Sequence, residues 1–320
     1  MQKGNNVSRE TFLKESKNKN IKPQNIGFWK IQPYLKISLA KGDVSAIIGK
    51  HKRVKRDSVR RKEIKMGRVI AVANQKGGVG KTTTSINLAA CIAEKGKRIL
   101  AIDLDPQGNM TSGLGVDKNE VENTVYELML GECSIRESLQ DTVVEKLNLI
   151  ASNVNLAGAE IELLGINDKE YILKTAVDYI KDDYDFIIID CPPSLNMLTV
   201  NAMTTADTVL VPIQCEYYAL EGLSQLIHTI DLVQQRLNPN LSIEGIVFTM
   251  YDVRTNLSNQ VVESVKNSLD TKIYETMIPR NIRLAEAPSH GIPINMYDTR
   301  SAGAESYRNL AQEIIDRKDI

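Results

Sequence analysis

Cysteine and histidine are scarce in this sequence. Cys91, Cys133, Cys191 and Cys215 are scattered with no CxxC pair, and only His51, His228 and His290 accompany them. Zinc-ligand spacing is therefore absent, and reduced thiols in a cytoplasmic protein are the expectation. No stretch of about 18 uninterrupted apolar residues occurs, which excludes a transmembrane helix. The N-terminus carries no apolar core of the kind a secretory leader needs, so none is expected. Repeats and low-complexity tracts are missing from residue 68 onward. Nor does either charge dominate, with 40 Lys+Arg against 40 Asp+Glu and a pI near 6.9. What is present, 42 % apolar residues in a chain of 320, excludes wholesale disorder and a fibrous chain and leaves one large domain or two modest ones.

The neutral total hides an asymmetry. Residues 1–65 hold 18 Lys+Arg and 5 Asp+Glu, a net of +13, which leaves −13 for 66–320. Stretches of such opposite charge do not read as one domain, and the boundary is placed at 65/66. The basic density peaks at His51-Lys52-Arg53-Val54-Lys55-Arg56 and Arg60-Arg61-Lys62. Three readings of this extension stand: a solvated, largely disordered arm, an electrostatic hold on DNA or RNA phosphates, or a stretch upstream of a biological start at Met66. Residues 26–48, with Phe28, Trp29, Tyr34 and Leu35, carry enough apolar character for a small folded piece.

From residue 68 short β-branched apolar runs alternate with stretches of helical period. Strands are expected at Val69–Ala73, Ile99–Asp103, Leu147–Ala151, Phe186–Asp190, Thr208–Ile213, Ile243–Thr249 and Lys272–Glu275. Helices are expected at 81–95, 156–164, 169–181, 196–204, 219–237, 256–268 and 303–317. Runs such as Phe186-Ile187-Ile188-Ile189 imply burial on both faces. The fold class is therefore α/β: a doubly wound, mostly parallel sheet flanked by helices.

The first strand leads into Gln75-Lys76-Gly77-Gly78-Val79-Gly80-Lys81-Thr82-Thr83, which opens a helix. Its Gly-Lys-Thr ending in strand–loop–helix context is that of a P-loop, although Gln75 stands where the standard pattern has its first glycine. Glycines let backbone N–H groups curl around phosphate oxygens, and the helix N-terminus adds positive potential. Lys81 is placed to reach the β- and γ-phosphates and the Thr82 hydroxyl to ligate Mg²⁺. Two further elements agree. Asp103-Leu104-Asp105-Pro106-Gln107-Gly108-Asn109 closes the second strand, and Asp190-Cys191-Pro192-Pro193-Ser194 follows an apolar strand as in a Walker B element.

The loop Lys76–Thr83, with its extra lysine, resembles the deviant Walker A motif of ParA/MinD-type ATPases. With Asp103–Asn109, Asp190–Ser194, Thr249–Thr255 and Glu286–Gly291, the stretch 66–320 resembles the ParA/Soj chromosome-partitioning branch. The resemblance does not extend to 1–65. It implies a P-loop ATPase, slow until stimulated, that dimerises around two nucleotides, with ATP and Mg²⁺ as cofactors. It implies that Lys76 reaches the phosphates held by the other chain, that Asp105 positions the attacking water, and that Asp103 supports it and the Mg²⁺ shell. Asp190 would hold Mg²⁺ through water. The nucleotide-binding set so implied is Lys76, Gly77, Gly78, Val79, Gly80, Lys81, Thr82 and Thr83, with adenine near Met250–Tyr251 and Pro279–Asn281.

The same resemblance implies non-specific double-stranded DNA as a partner through Arg254 and Arg283, a ParB-type centromere-binding protein that triggers hydrolysis and release, and a nucleoid-associated location. The alternative is a nucleotide-controlled regulator of replication initiation or transcription acting through protein contacts. A MinD-like membrane helix is not expected, because 304–320 has a net charge of −1 and its apolar positions recur as a core stripe. An iron–sulfur member of the superfamily would need a cysteine paired with Cys191.

Overall fold

The computed structural model describes residues 67–216, 219–268 and 271–317; the arm expected over 1–65 lies outside them. Alternation within the strands explains the layering. In the strand Phe186–Asp190 all five residues are buried, with Ile187 and Ile189 on one face and Phe186 and Ile188 on the other. Each face must then be covered by helices, as the continuous apolar run implies.

The strands are β1 (Arg68–Val72), β2 (Ile99–Asp103), β3 (Leu139–Asp141), β4 (Leu147–Ile150), β5 (Phe186–Asp190), β6 (Thr208–Gln214) and β7 (Ser242–Thr249). The helices are α1 (Lys81–Glu94), α2 (Asn109–Gly113), α3 (Val125–Leu130), α4 (Leu156–Glu162), α5 (Ile172–Asp178), α6 (Met197–Thr205), α7 (Ala219–Arg236), α8 (Asn256–Ser268), α9 (Ile282–Glu286), α10 (Ile294–Tyr297) and α11 (Ala302–Asp316). The sheet order is β3-β4-β2-β5-β1-β6-β7, parallel throughout except for β3 against β4. One face is covered by α1 and α11, the other by α6, α7 and α8 together with α3, α4 and α5. The α11 stripe Tyr307, Leu310, Ala311 and Ile314 is fully packed, and its start is capped by the Ser301 side chain. Among the described residues no helix is long and apolar enough to cross a membrane.

Six of the seven expected strands are present to within a residue at each end. The exception is Lys272–Glu275, which makes only a single bridge, Ile246 with Ile273. The backbone N–H groups of Glu275 and Thr276 donate instead to the Glu313 carboxylate on α11, and this draws the segment out of the ladder. The helix expected at 169–181 is broken into a 3₁₀ turn, α5 and a second 3₁₀ turn. The edge strand β3 and the short helices α2, α3, α9 and α10 are additions to the expected set.

At the end of β1 away from the phosphate loop lies a buried charge cluster. Glu244, fully buried on β7, is ion-paired with Arg68 and Arg317 and accepts hydrogen bonds from Thr208 and Tyr274. Burial pushes this carboxylate up, but Arg68, the Tyr274 and Thr208 hydroxyls and Arg317 together hold it below the usual glutamate range.

Candidate nucleotide site

The carboxyl ends of the central strands β2, β5 and β1 lie side by side, and their register puts Asp103 opposite Asp190 and Asp190 opposite Val72. The loop leaving β1 turns back over these ends. Gly78 and Gly80 have φ of 75° and 87°, the left-handed region in which a Cβ is costly. These turns carry the loop directly into α1 at Lys81 and leave its N-terminus facing the crevice.

Lys81 is nearly buried and its ammonium donates to the Lys76 carbonyl at 3.0 Å. Burial lowers its pKa, against the attraction of Asp190, Cys191 and Asp105. Asp190 is fully buried. Its Oδ1 accepts from Ser85 Oγ at 2.8 Å, while its Oδ2 has no hydrogen-bond partner among the described residues. Loss of solvent, reinforced by Asp103, pushes the Asp190 carboxyl well above the ordinary aspartate range. Thr82 stands beside the same carboxylate.

Asp103 is occupied differently. Its Oδ1 accepts from the Asp105 N–H at 3.1 Å, and its Oδ2 accepts from both the N–H and the hydroxyl of Thr111 at 2.9 and 2.8 Å. Burial pushes this carboxyl up as well, and those same donors hold it down. Both oxygens are thus engaged by the fold. One of these bonds ties Asp103 to the backbone of Asp105. Asp105 is itself braced, since its carbonyl accepts from Ser152 Oγ and its Oδ1 from the Gln107 N–H.

An orphaned buried carboxylate oxygen beside a hydroxyl-bearing helix start fits a hydrated divalent cation held largely by phosphate oxygens. A cation such as Mg²⁺ uses one or two carboxylates plus substrate phosphates. Among the described residues there is no group of three or more His, Cys, Asp or Glu placed to hold a metal ion.

Lys76 points elsewhere. Its ammonium is ion-paired with Glu216, which follows β6, and both side chains are about one-third exposed. Asn74 holds the backbone between these two partners, accepting from the Lys76 N–H and donating to the Pro212 carbonyl.

Met250, Pro279 and Asn281 line one cavity of about 590 Å³, together with Gly80, Thr83 and Tyr307. Arg254 and Arg283 are exposed but engaged. Arg254 pairs bidentately with Asp252, and Arg283 pairs with Glu286 and Asp298. Asn74, Ser85, Thr111, Ser152, Glu216 and Thr249 are the site residues that sequence reasoning misses. Only Ser85, one helical turn after Lys81, is signalled by spacing.

A family profile described as an AAA domain matches residues 67–243. The sporulation initiation inhibitor protein Soj of Bacillus subtilis is 57 % identical over 78 % of this chain and 98 % of its own length. The chain belongs to the ParA/Soj family. The chromosome partitioning protein ParA of Myxococcus xanthus is 51 % identical over 79 % of this chain and 89 % of its own. Among solved structures, cobyrinic acid a,c-diamide synthase from Mycobacterium smegmatis, with bound ADP and magnesium, superposes with a TM-score of 0.70. It is 41 % identical and covers 78 % of this chain and 94 % of that one. The phosphate loop and the segments beginning at Asp103 and Asp190 all lie within residues 67–243.

Proposed function

We propose that this ParA/Soj chain is an ATP-hydrolysing switch in the segregation of chromosomal or plasmid DNA, working in the cytoplasm on the nucleoid. The observation that carries the reading is the divergence of two lysines from one loop. Lys81 faces its own chain's carboxylates, while Lys76 is turned outward to a partly exposed ion pair. One loop thus offers a cation to its own nucleotide and a second to a neighbour.

In this reading the backbone of Lys76–Thr83 cradles the phosphates, Lys81 neutralises the β- and γ-phosphates, and the base occupies the cavity at Met250, Pro279 and Asn281. Thr82 and Asp190 would hold Mg²⁺, which supplies charge neutralisation at the phosphates. Asp105 orients the attacking water and Asp103 holds Asp105. Catalysis of this kind rests on positioning and electrostatics, which fits slow turnover until a partner completes the site. ATP occupancy in two chains forms the homodimer, which places Arg254 and Arg283 of both chains on duplex DNA without sequence preference. A ParB-type partner then stimulates hydrolysis and release. The net charge of +13 carried by residues 1–65 would add a nucleotide-independent component to DNA binding where that stretch is present.

The test is binding to arbitrary duplex DNA with ATP, with ADP and without nucleotide, for the full chain and for a chain starting at Met66. ATP-dependent binding by the shorter chain supports the switch. Binding by the full chain alone, equal in all nucleotide states, removes it. A second reading, a regulator acting through protein contacts, is favoured by the inhibitor name that the B. subtilis relative carries. A centromere-bound partner separates the two, since a segregation switch hydrolyses ATP faster in its presence and a pure regulator does not.

A further inference from the structure

The carbonyl of Val79 is turned toward the end of β7. It accepts a hydrogen bond of 2.8 Å from the hydroxyl of Thr249, the last residue of β7, 170 positions further along the chain. Both residues are buried. The α1 ladder cannot satisfy this carbonyl, because its first bond runs from the Thr84 N–H to the Gly80 carbonyl, one residue later. Without Thr249 the Val79 carbonyl would be a buried acceptor with nothing to accept, or it would turn toward the crevice. A carbonyl turned inward opposes an anion with the wrong end of a dipole, whereas an outward carbonyl leaves N–H groups facing it.

Thr249 also begins the corner that shapes the neighbouring cavity. Met250, next in sequence, has φ of 50°, a left-handed conformation that side chains rarely adopt. Beyond it, Tyr251 N–H donates to the Ile278 carbonyl and Arg280 N–H donates to the Tyr251 carbonyl. These bonds fix the segment that contributes Pro279 and Asn281 to the cavity. One residue therefore joins the end of β7, the lining of the cavity and the curl of the phosphate loop.

We propose that Thr249 is a positioning residue for nucleotide binding, its hydroxyl holding the Val79 carbonyl outward so that the loop meets the phosphates with N–H groups. Thr249 touches no phosphate in this role. The inference rests on the nucleotide-site reading above.

The test compares Thr249→Val, which keeps the shape and loses the hydroxyl, with Thr249→Ser, which keeps the hydroxyl and loses the methyl. Affinities are measured for ADP directly, and for tripolyphosphate and adenosine as competitors of labelled ADP, well below the thermal midpoint of each variant. Thr249→Val is expected to weaken ADP and tripolyphosphate by about tenfold, the worth of one hydrogen bond, and to leave adenosine within about twofold. Thr249→Ser is expected to stay within about twofold of the parent for all three. Equal affinity for ADP in Thr249→Val and the parent overturns the inference. So does an adenosine loss as large as the ADP loss, or a Ser variant as weak as the Val variant, since each assigns the effect to packing. Should Thr249→Val not fold, Thr249→Cys serves in its place. Its weaker donor gives an intermediate loss of ADP affinity, and no loss overturns the inference. A parent chain that binds no ADP fails the nucleotide-site reading itself, an outcome distinct from all of these.

Discussion

Lys76 is ion-paired with Glu216 of its own chain, and its backbone carbonyl receives the ammonium of Lys81. The two lysines of the loop are thus used at different levels, one through its side chain toward the outside and one toward the crevice. An exposed pair of this kind is weak, and clustered phosphates of a second chain can displace it. Lys76→Ala is therefore expected to keep ADP affinity within about fivefold, the range of such pairs, while abolishing ATP-dependent assembly. Calorimetry with ADP and sedimentation with ATP check the two halves separately. Loss of ADP binding in step with assembly would place Lys76 at its own nucleotide.

The support under Asp105 makes a second expectation. Asp105→Ala should lower ATP turnover by about a hundredfold or more while ADP affinity changes little, as for loss of a group that orients the nucleophile. Thr111→Val acts one step back. It removes a donor from Asp103 and the acceptor of the Ser152 N–H, and is expected to cost about 1–3 kcal/mol of stability by urea unfolding. A Thr111→Val chain as stable as the parent would show that this buried network is slack.

Stability should depend on pH through Asp190. Its pKa is raised by burial, so between the ordinary aspartate value near 4 and its raised value the folded chain holds more protons than the unfolded one. Its contribution in the nucleotide-free chain therefore becomes less favourable as pH rises through that window. Asp103 shifts in the same direction. Asp190→Asn cannot ionise, and it is expected to gain stability over the parent by more at pH 8 than at pH 5. Urea midpoints of both chains at both pH values check this, and an equal gap at the two would contradict it.

How much of this was open to the sequence depends on the range over which each feature is encoded. β5 is legible because five consecutive buried residues leave a continuous apolar run, and the phosphate loop because its function needs adjacent residues. β3, reading Leu139-Gln140-Asp141 at the sheet edge, has neither an apolar run nor alternation. The pairs Thr249–Val79 and Ser152–Asp105 join residues 170 and 47 positions apart, and no local spacing announces them. Lys272–Glu275 has the composition of a strand, yet Glu313 on a distant helix takes the N–H groups of its last residue and of Thr276. The capping box at Thr124 and Glu127 was legible in principle, since its spacing is local, but its helix has under two turns.

The arginines expected to meet DNA carry their own carboxylates. Arg254 holds the Asp252 carboxyl down at about 2, so the pair stays fully charged at any working pH. Asp252→Asn is expected to tighten binding to duplex DNA, because it removes a negative charge from the contact surface and frees the guanidinium. A dimer using Arg254 and Arg283 of both chains should have a log–log salt slope of about −3.6, reduced by about half on loss of either arginine. Fluorescence anisotropy across a salt series measures both, and a slope indifferent to Arg254→Ala and Arg283→Ala moves the contact surface elsewhere.

Glu244 has a consequence for the connectivity of the domain. Arg68 opens the first strand, Arg317 follows the last helix, and both end on this one carboxylate. The described domain is therefore a loop already closed by charge. A short covalent bridge from 317 back to 67 would repeat in the chain what Glu244 does through space. Circular permutation, with new ends opened in the exposed turn around Asn119, should leave the sheet order intact.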